Sequence, residues 1–140
     1  MDVFLFWPQV IVLLIDAYGF AKQYAQGLAL VIETLAFVEG TGEQYWNAEF
    51  HRLKGTLLLA QGGATNEVEQ CFQQALAIAR QQAAKSLELR AAISLARLWQ
   101  TQNRLEEART LLAEIYGWFT EGFASADLCE ARNLLKNLSA

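Results

Sequence analysis

Residues 86–102 read SLELRAAISLARLWQTQ, and this stretch decides the fold. Within it, Ala92, Leu95, Ala96 and Trp99 follow one another at the spacing that places side chains on one face of a helix. A pair made of a small or apolar residue and a large apolar residue three positions later occurs here and twice earlier in the chain, at intervals of 41 and then 40 residues. The three occurrences are Ile15 with Tyr18, Gly55 with Leu58, and Ala96 with Trp99.

A repeat of about forty residues is typical of stacked helical hairpins. The helical patterns divide the chain into hairpins at about 9–39, 43–83 and 86–120, with a capping helix at 127–138. No stretch alternates apolar and polar residues as a half-buried strand would. We therefore predict an all-α protein that forms a single domain over residues 1–140.

Three of the predicted helices begin with a capping pattern. Asn66, Asn103 and Asp127 each precede a glutamate by three positions. In such a pair the first side chain caps the helix and the glutamate reaches back to its amide. We predict that these three residues are N-caps.

Composition favours a folded protein that does not bind nucleic acid. The hydrophobic content of 54% is ample for a core. The net charge of −4 and the pI near 5.0 argue against a nucleic-acid binder, which would need a basic surface. Cys71 and Cys129 form no close pair, so we expect reduced thiols and a cytoplasmic location. The apolar run Val3–Ile15 contains Pro8 and is shorter than the roughly 20 residues of a spanning helix, so we expect no membrane partner.

Reaction chemistry has little support in this sequence. The phosphate-binding, dinucleotide-binding and zinc-protease motifs are absent. His51 is the only histidine and has no second histidine for a metal site, so a structural or surface role is expected. Glu106 and Glu107 fall in the first turn of a predicted helix, where the helix dipole stabilises them. We predict no enzyme activity, no catalytic residue, no cofactor and no metal.

Within each unit, the order of small and large residues resembles the tetratricopeptide repeat. The third unit matches best, with Ala92, Ala96 and Trp99 in its first helix and Ala108 in its second. The resemblance implies a right-handed superhelix of about three hairpins plus the capping helix. Ile15 stands where the family usually has a small residue, and the period exceeds the usual 34 residues. We therefore expect a divergent member with lengthened helices.

The same resemblance implies a concave groove lined by the first helix of each hairpin. Arginines in such a groove bind a carboxylate of a protein or peptide partner through paired hydrogen bonds. The alternative is that Glu49 and Glu88 neutralise Arg52 and Arg90 within the stack. The residues placed in the groove by position are Glu49, Arg52, Thr56, Arg90, Ile93, Arg97 and Gln100.

Longer strings of sequence carry a closer resemblance. They read HRLKG at 51–55 with LLL at 57–59, FQQALAIAR at 72–80, AKSLELRAA at 84–92 and YGWFTEGF at 116–123. Together they resemble the C-terminal helical tail of large bacterial signalling proteins that join a class III nucleotide cyclase to a STAND-type ATPase. The resemblance covers roughly residues 9–138 and implies a sensor or scaffold tail without catalytic residues.

Two apolar features leave alternatives open. The N-terminal run is expected to form an association edge through Phe4, Phe6, Trp7 and Ile11, which gives a homodimer. The same run also fits a first helix that upstream helices of a longer protein cover. The aromatic string at 116–123 is either the end of a hairpin under the last helix or an exposed patch for a partner.

Overall fold

The computed structural model describes residues 8–41, 46–122 and 125–139, and every regular element in those ranges is an α-helix. The all-α prediction is confirmed. The helix bounds differ by one to a few residues from the predicted ones, and Pro8, Thr41 and Lys85 lie just outside the predicted hairpins. In chain order the helices are α1 Pro8–Phe20, α2 Tyr24–Thr41, α3 Asn47–Ala60, α4 Thr65–Gln81, α5 Lys85–Thr101, α6 Leu105–Tyr116 and α7 Ala126–Ser139.

The packing order of the helices has a simple regularity. Each helix packs against its neighbours in the chain, as in a series of antiparallel hairpins. The odd-numbered helices also pack against one another: α1 against α3, α3 against α5, and α5 against α7. The odd-numbered helices therefore form a continuous row, and each even-numbered helix packs against the two odd-numbered helices that flank it in the chain.

The sequence repeat marks the ends of α1, α3 and α5. At each end a left-handed residue follows the helix, and the next amide donates to the carbonyl five residues back, which is the Schellman arrangement. The left-handed residues are Lys22 (φ 59°), Gly62 (φ 78°) and Asn103 (φ 62°). The donor and acceptor pairs are Gln23 to Tyr18 at 2.8 Å, Gly63 to Leu58 at 2.8 Å, and Arg104 to Trp99 at 2.9 Å.

None of the three predicted N-caps is observed. Asn103 ends α5 instead of opening α6, because asparagine tolerates the left-handed conformation that the short joint requires. Asn66 lies inside α4, which already begins at Thr65. The cap of α7 is Ser125, whose Oγ accepts a hydrogen bond of 3.3 Å from the amide of Leu128. All three capping predictions are therefore wrong.

Small residues allow the helices of a hairpin to approach closely. A Cβ added to Gly55 on α3 would lie 2.7 Å from Cε1 of Phe72 on α4, closer than atoms pack. Ala96 on α5 is fully buried, as its place in the repeat predicts. Ile15, which replaces the usual small residue in the first unit, is also buried, in the apolar cluster that contains Val31 and Phe50.

Candidate functional site

One groove runs along the row of odd-numbered helices. Its volume is about 880 Å³, and α1, α3, α5 and α7 all contribute side chains to its walls. Because these helices belong to all three hairpins and the last helix, the groove exists only in the assembled stack. Representative lining residues are Asp16 and Phe20 from α1, Thr56 and Leu59 from α3, Ser94 from α5, and Glu130 from α7.

Five of the seven predicted groove residues line this cavity. They are Arg52, Thr56, Arg90, Ile93 and Arg97. The other two lie elsewhere: Glu49 is buried behind the arginines with 1% of its surface exposed, and Gln100 is half-buried on α5 outside the lining.

Glu49 is the centre of a buried ion-pair network. Its Oε1 accepts a hydrogen bond of 2.7 Å from Arg52 Nε, and its Oε2 accepts bonds from Arg52 Nη2 at 3.0 Å and Arg90 Nη1 at 2.8 Å. Burial opposes ionisation of Glu49, but the hydrogen bonds and charges of Arg52 and Arg90 outweigh it and hold its pKa below the usual value. Glu49 therefore stays charged and joins α3 to α5.

Arg90 extends this network to the last helix. Its Nε donates a hydrogen bond of 2.9 Å to Asp127 Oδ2 on α7. The bond to Asp127, together with the charge of Glu49, raises the pKa of Arg90 further above its usual range. Arg97 and Glu130 form a second ion pair between α5 and α7. All three groove arginines are thus bonded to carboxylates of this chain.

The neutralisation alternative therefore holds for Glu49 and not for Glu88. Glu49 pairs with both Arg52 and Arg90, as that alternative requires. Glu88 instead pairs with Arg80 Nε at 3.1 Å and lies 3.5 Å from Lys85 Nζ. The expectation that Glu88 neutralises Arg90 is wrong, because Glu88 faces α4 while Arg90 faces Glu49 and α7.

Asp16 is the groove acid that sequence reasoning missed. It is half-buried, and within the described residues it has neither a hydrogen bond nor an ion pair. Burial raises its pKa above the usual value, an effect that the positive charge of Arg52 only partly offsets. The available signal was its position as the acid that ends an apolar run, one helical turn before Phe20.

A second cavity of about 320 Å³ opens beside Asp16, between α1 and α3. Its walls include the apolar side chains of Ile15, Leu53 and Leu57. Asp16, Phe20 and Thr56 line both this cavity and the groove, so the two are contiguous. Phe20 is 90% exposed at the junction, so most of its apolar surface remains in contact with water, which is costly for a large aromatic side chain.

The predicted association edge is only partly within the described residues. Phe4, Phe6 and Trp7 lie outside them, whereas Ile11 is buried in the cluster formed by α1, α2 and α3. Burial makes Ile11 unavailable as an edge residue. On the same helix, however, Leu13 is 67% exposed and Leu14 is 45% exposed.

The aromatic string at 116–123 divides between core and surface. Tyr116 and Phe119 pack against the main apolar cluster, while Trp118 is mostly exposed. Lys85 Nζ lies 3.3 Å from the centroid of the Trp118 ring, a cation–π contact that joins the two ends of the third hairpin. Phe123 lies outside the described residues.

The described ranges contain neither a group of metal-binding side chains nor a membrane-spanning helix. No group of three or more histidine, cysteine, aspartate or glutamate side chains there could hold a metal ion. Nor is any helix in those ranges both long enough and apolar enough to cross a bilayer. Neither cysteine forms a disulfide: Cys71 is a buried thiol whose pKa is raised by burial, and Cys129 is half-buried.

Comparison of the chain with protein-family models, with curated proteins and with solved structures finds no match.

Proposed function

We propose that this chain is a non-enzymatic protein-interaction module that binds a segment of a partner protein in the groove of the odd-numbered helices. The observation that carries the proposal is that all four odd-numbered helices, together with Phe72 of α4, contribute to one open groove of about 880 Å³. Repeat proteins made of stacked hairpins use their extended inner surfaces in this way.

We further propose that the stack is a right-handed superhelix of the tetratricopeptide type. The contacts between alternate helices and the recurring helix ends at Tyr18, Leu58 and Trp99 support this assignment. Because the sequence resembles the tails of bacterial cyclase and ATPase signalling proteins, we propose that the chain has a signalling or regulatory role in the cytoplasm.

The ion pairs of the groove assign its arginines a structural role. Arg52, Arg90 and Arg97 hold α3, α5 and α7 together through carboxylates of the same chain. A partner carboxylate would have to displace one of these carboxylates. The proposal therefore places recognition on the exposed groove side chains, such as Phe20 and Leu59, instead of on unpaired arginines.

The test is a selection of random peptides against the protein and against a variant with a filled groove. Ser94→Trp puts a large side chain into the groove at a lining position that takes part in none of the ion pairs described above. We expect the selection to yield peptides that bind the parent protein but do not bind the Ser94→Trp variant. The matched control is Gln73→Trp on α4, which lies away from the groove. Peptides that bind all three proteins equally, or no enriched peptides, would refute the proposal.

Exposed leucines on α1 favour one other function, homo-oligomerisation. Leu13 and Leu14 expose apolar surface near the N-terminal end of the stack, and solenoid ends normally carry a polar outer face. In that case a second copy covers α1. Sedimentation velocity at low micromolar concentration tests it: a dimer that Leu13→Ser converts to a monomer supports the idea, and a monomeric parent protein rejects it.

A further inference from the structure

Asp16 differs from the other groove acids in its bonding. Glu49, Asp127 and Glu130 each bond to an arginine of this chain, whereas Asp16 has no such bond within the described residues. Its half-buried carboxylate has given up part of its hydration, and the nearby charges of Arg52 and Arg90 offset that loss only in part. A cation supplied from outside would restore that loss.

The groove region carries a net negative charge, which attracts a cation. Three arginines are outnumbered by four acids, namely Asp16, Glu49, Asp127 and Glu130, which leaves a net charge of −1. Since the arginines are bonded to the other three acids, the excess negative charge resides on Asp16. A basic partner segment complements this arrangement, and an acidic one would be repelled by it.

Apolar surface lies directly beside this charge. Asp16 and Phe20 are one helical turn apart on α1, and both line the junction of the groove with the 320 Å³ cavity. Leu53 and Leu57 of α3 form part of the cavity wall. A segment with a cation next to a large apolar side chain matches both features, as amphipathic helices do in apolar grooves.

We propose that the α1–α3 end of the groove binds a basic amphipathic segment of a partner protein. A lysine or arginine of that segment pairs with Asp16, and an adjacent large apolar side chain packs against Phe20 over the α1–α3 cavity. This inference rests on the proposed function, because it specifies the chemistry of the partner that the groove accepts.

Two defined peptides test it by fluorescence anisotropy at about physiological salt, where exposed charges are screened beyond roughly 8 Å. The first is a labelled amphipathic 12-residue peptide of leucine and lysine, and the second has glutamate in place of every lysine. We expect only the lysine peptide to bind. Asp16→Asn and Phe20→Ser should each weaken it about tenfold, which corresponds to about 1.4 kcal/mol.

Matched controls separate site binding from general attraction. Glu114→Gln removes one exposed negative charge from α6, and Leu105→Ser removes an exposed leucine from the same helix. Neither should change binding of the lysine peptide. If Glu114→Gln weakens it as much as Asp16→Asn does, the inference is wrong. Melting curves establish that every variant is folded, and Phe20→Ser removes a side chain that contributes almost nothing to the core.

The outcomes also distinguish this inference from the proposed function. If the glutamate peptide binds and Phe20→Ser weakens it, the groove is a binding site and only the basic partner is refuted. If Phe20→Ser and Ser94→Trp leave the binding of both peptides unchanged, the groove is not the binding site and both proposals fail.

Discussion

Arg90 Nη1 donates a hydrogen bond of 2.8 Å to Glu49 Oε2, although the two residues are 41 positions apart in the chain. This separation equals one repeat. The bond therefore joins corresponding first helices of adjacent hairpins, α3 and α5, and the second bond of Arg90, to Asp127, continues the connection to α7. The network fixes the alignment of the helices that line the groove.

Loss of the central carboxylate should destabilise the stack. We expect Glu49→Gln to lower the free energy of unfolding by about 2 kcal/mol, because removal of one partner leaves arginine charges uncompensated in a partly buried site. Urea unfolding measures the change. The control is Glu106→Gln, whose partner Arg109 is exposed, and it should cost far less. Equal effects of the two variants would mean that the network does not stabilise the stack.

Acid should weaken the same network. The pKa of Glu49 is lower in the folded protein than its usual 4.5, so its stabilising effect is complete above about pH 4.5 and is lost as pH falls through the folded-state pKa. The stability difference between the parent protein and Glu49→Gln should therefore be constant from neutral pH down to about 5 and shrink below about 4.5. Urea unfolding across this range checks it, and a difference that grows on acidification would contradict it.

Asp16 should have the opposite pH dependence. Because burial raises its pKa above the usual 3.8, its ionisation costs stability as pH rises through 3.8 to the folded-state pKa. Asp16→Asn should therefore melt at a slightly higher temperature than the parent protein at pH 7, and the advantage should disappear at about pH 3. Glu114→Gln serves as the control, with little change expected at either pH. A lower melting temperature for Asp16→Asn at pH 7 would contradict the prediction.

Two glycine substitutions should change stability in opposite directions. In Gly55→Ala the new Cβ would lie 2.7 Å from the buried ring of Phe72, so we expect a loss of about 1–3 kcal/mol through overpacking. In Gly19→Ala the nearest side-chain atom is Leu57 Cδ2 at 4.0 Å, so the helix should gain about 0.5–1 kcal/mol. Thermal melts measure both changes. A stabilised Gly55→Ala would show that α3 and α4 are farther apart than described.

Ala96 provides a test of the third hairpin. It is fully buried, so Ala96→Leu should overpack the contacts of α5 and cost about 1–3 kcal/mol. The matched control is Ala113→Leu, an exposed position on α6 where the extra atoms remain in solvent. Melting temperatures compare the two. If Ala96→Leu has the same melting temperature as the parent protein, the assignment of small and large positions in this hairpin is incorrect.

Local chemistry in the sequence was enough to predict the helices. The recurrence of Tyr18, Leu58 and Trp99 coincides with three equivalent helix ends, where the backbone carbonyl of each residue accepts the hydrogen bond that closes the terminal turn. Apolar periodicity likewise identified Ala96 as buried, since a helical face is set by spacing along one chain segment. The prediction failed at the N-caps. Asn66 and Asn103 both fit the local capping pattern, but the helices begin at Thr65 and Leu105 instead of directly after these residues.

The sequence by itself determined an all-α chain, and five of the seven residues predicted to line a groove do line one. Only the tertiary structure decided that Glu49 turns inward to bind Arg52 and Arg90, that Glu88 pairs with Arg80, and that Asp16 forms no ion pair within the described residues. The reason is physical. Helical periodicity depends on neighbours a few positions apart, whereas the partner of a charged side chain depends on which helices stacking brings within about 3 Å, the length of a hydrogen bond.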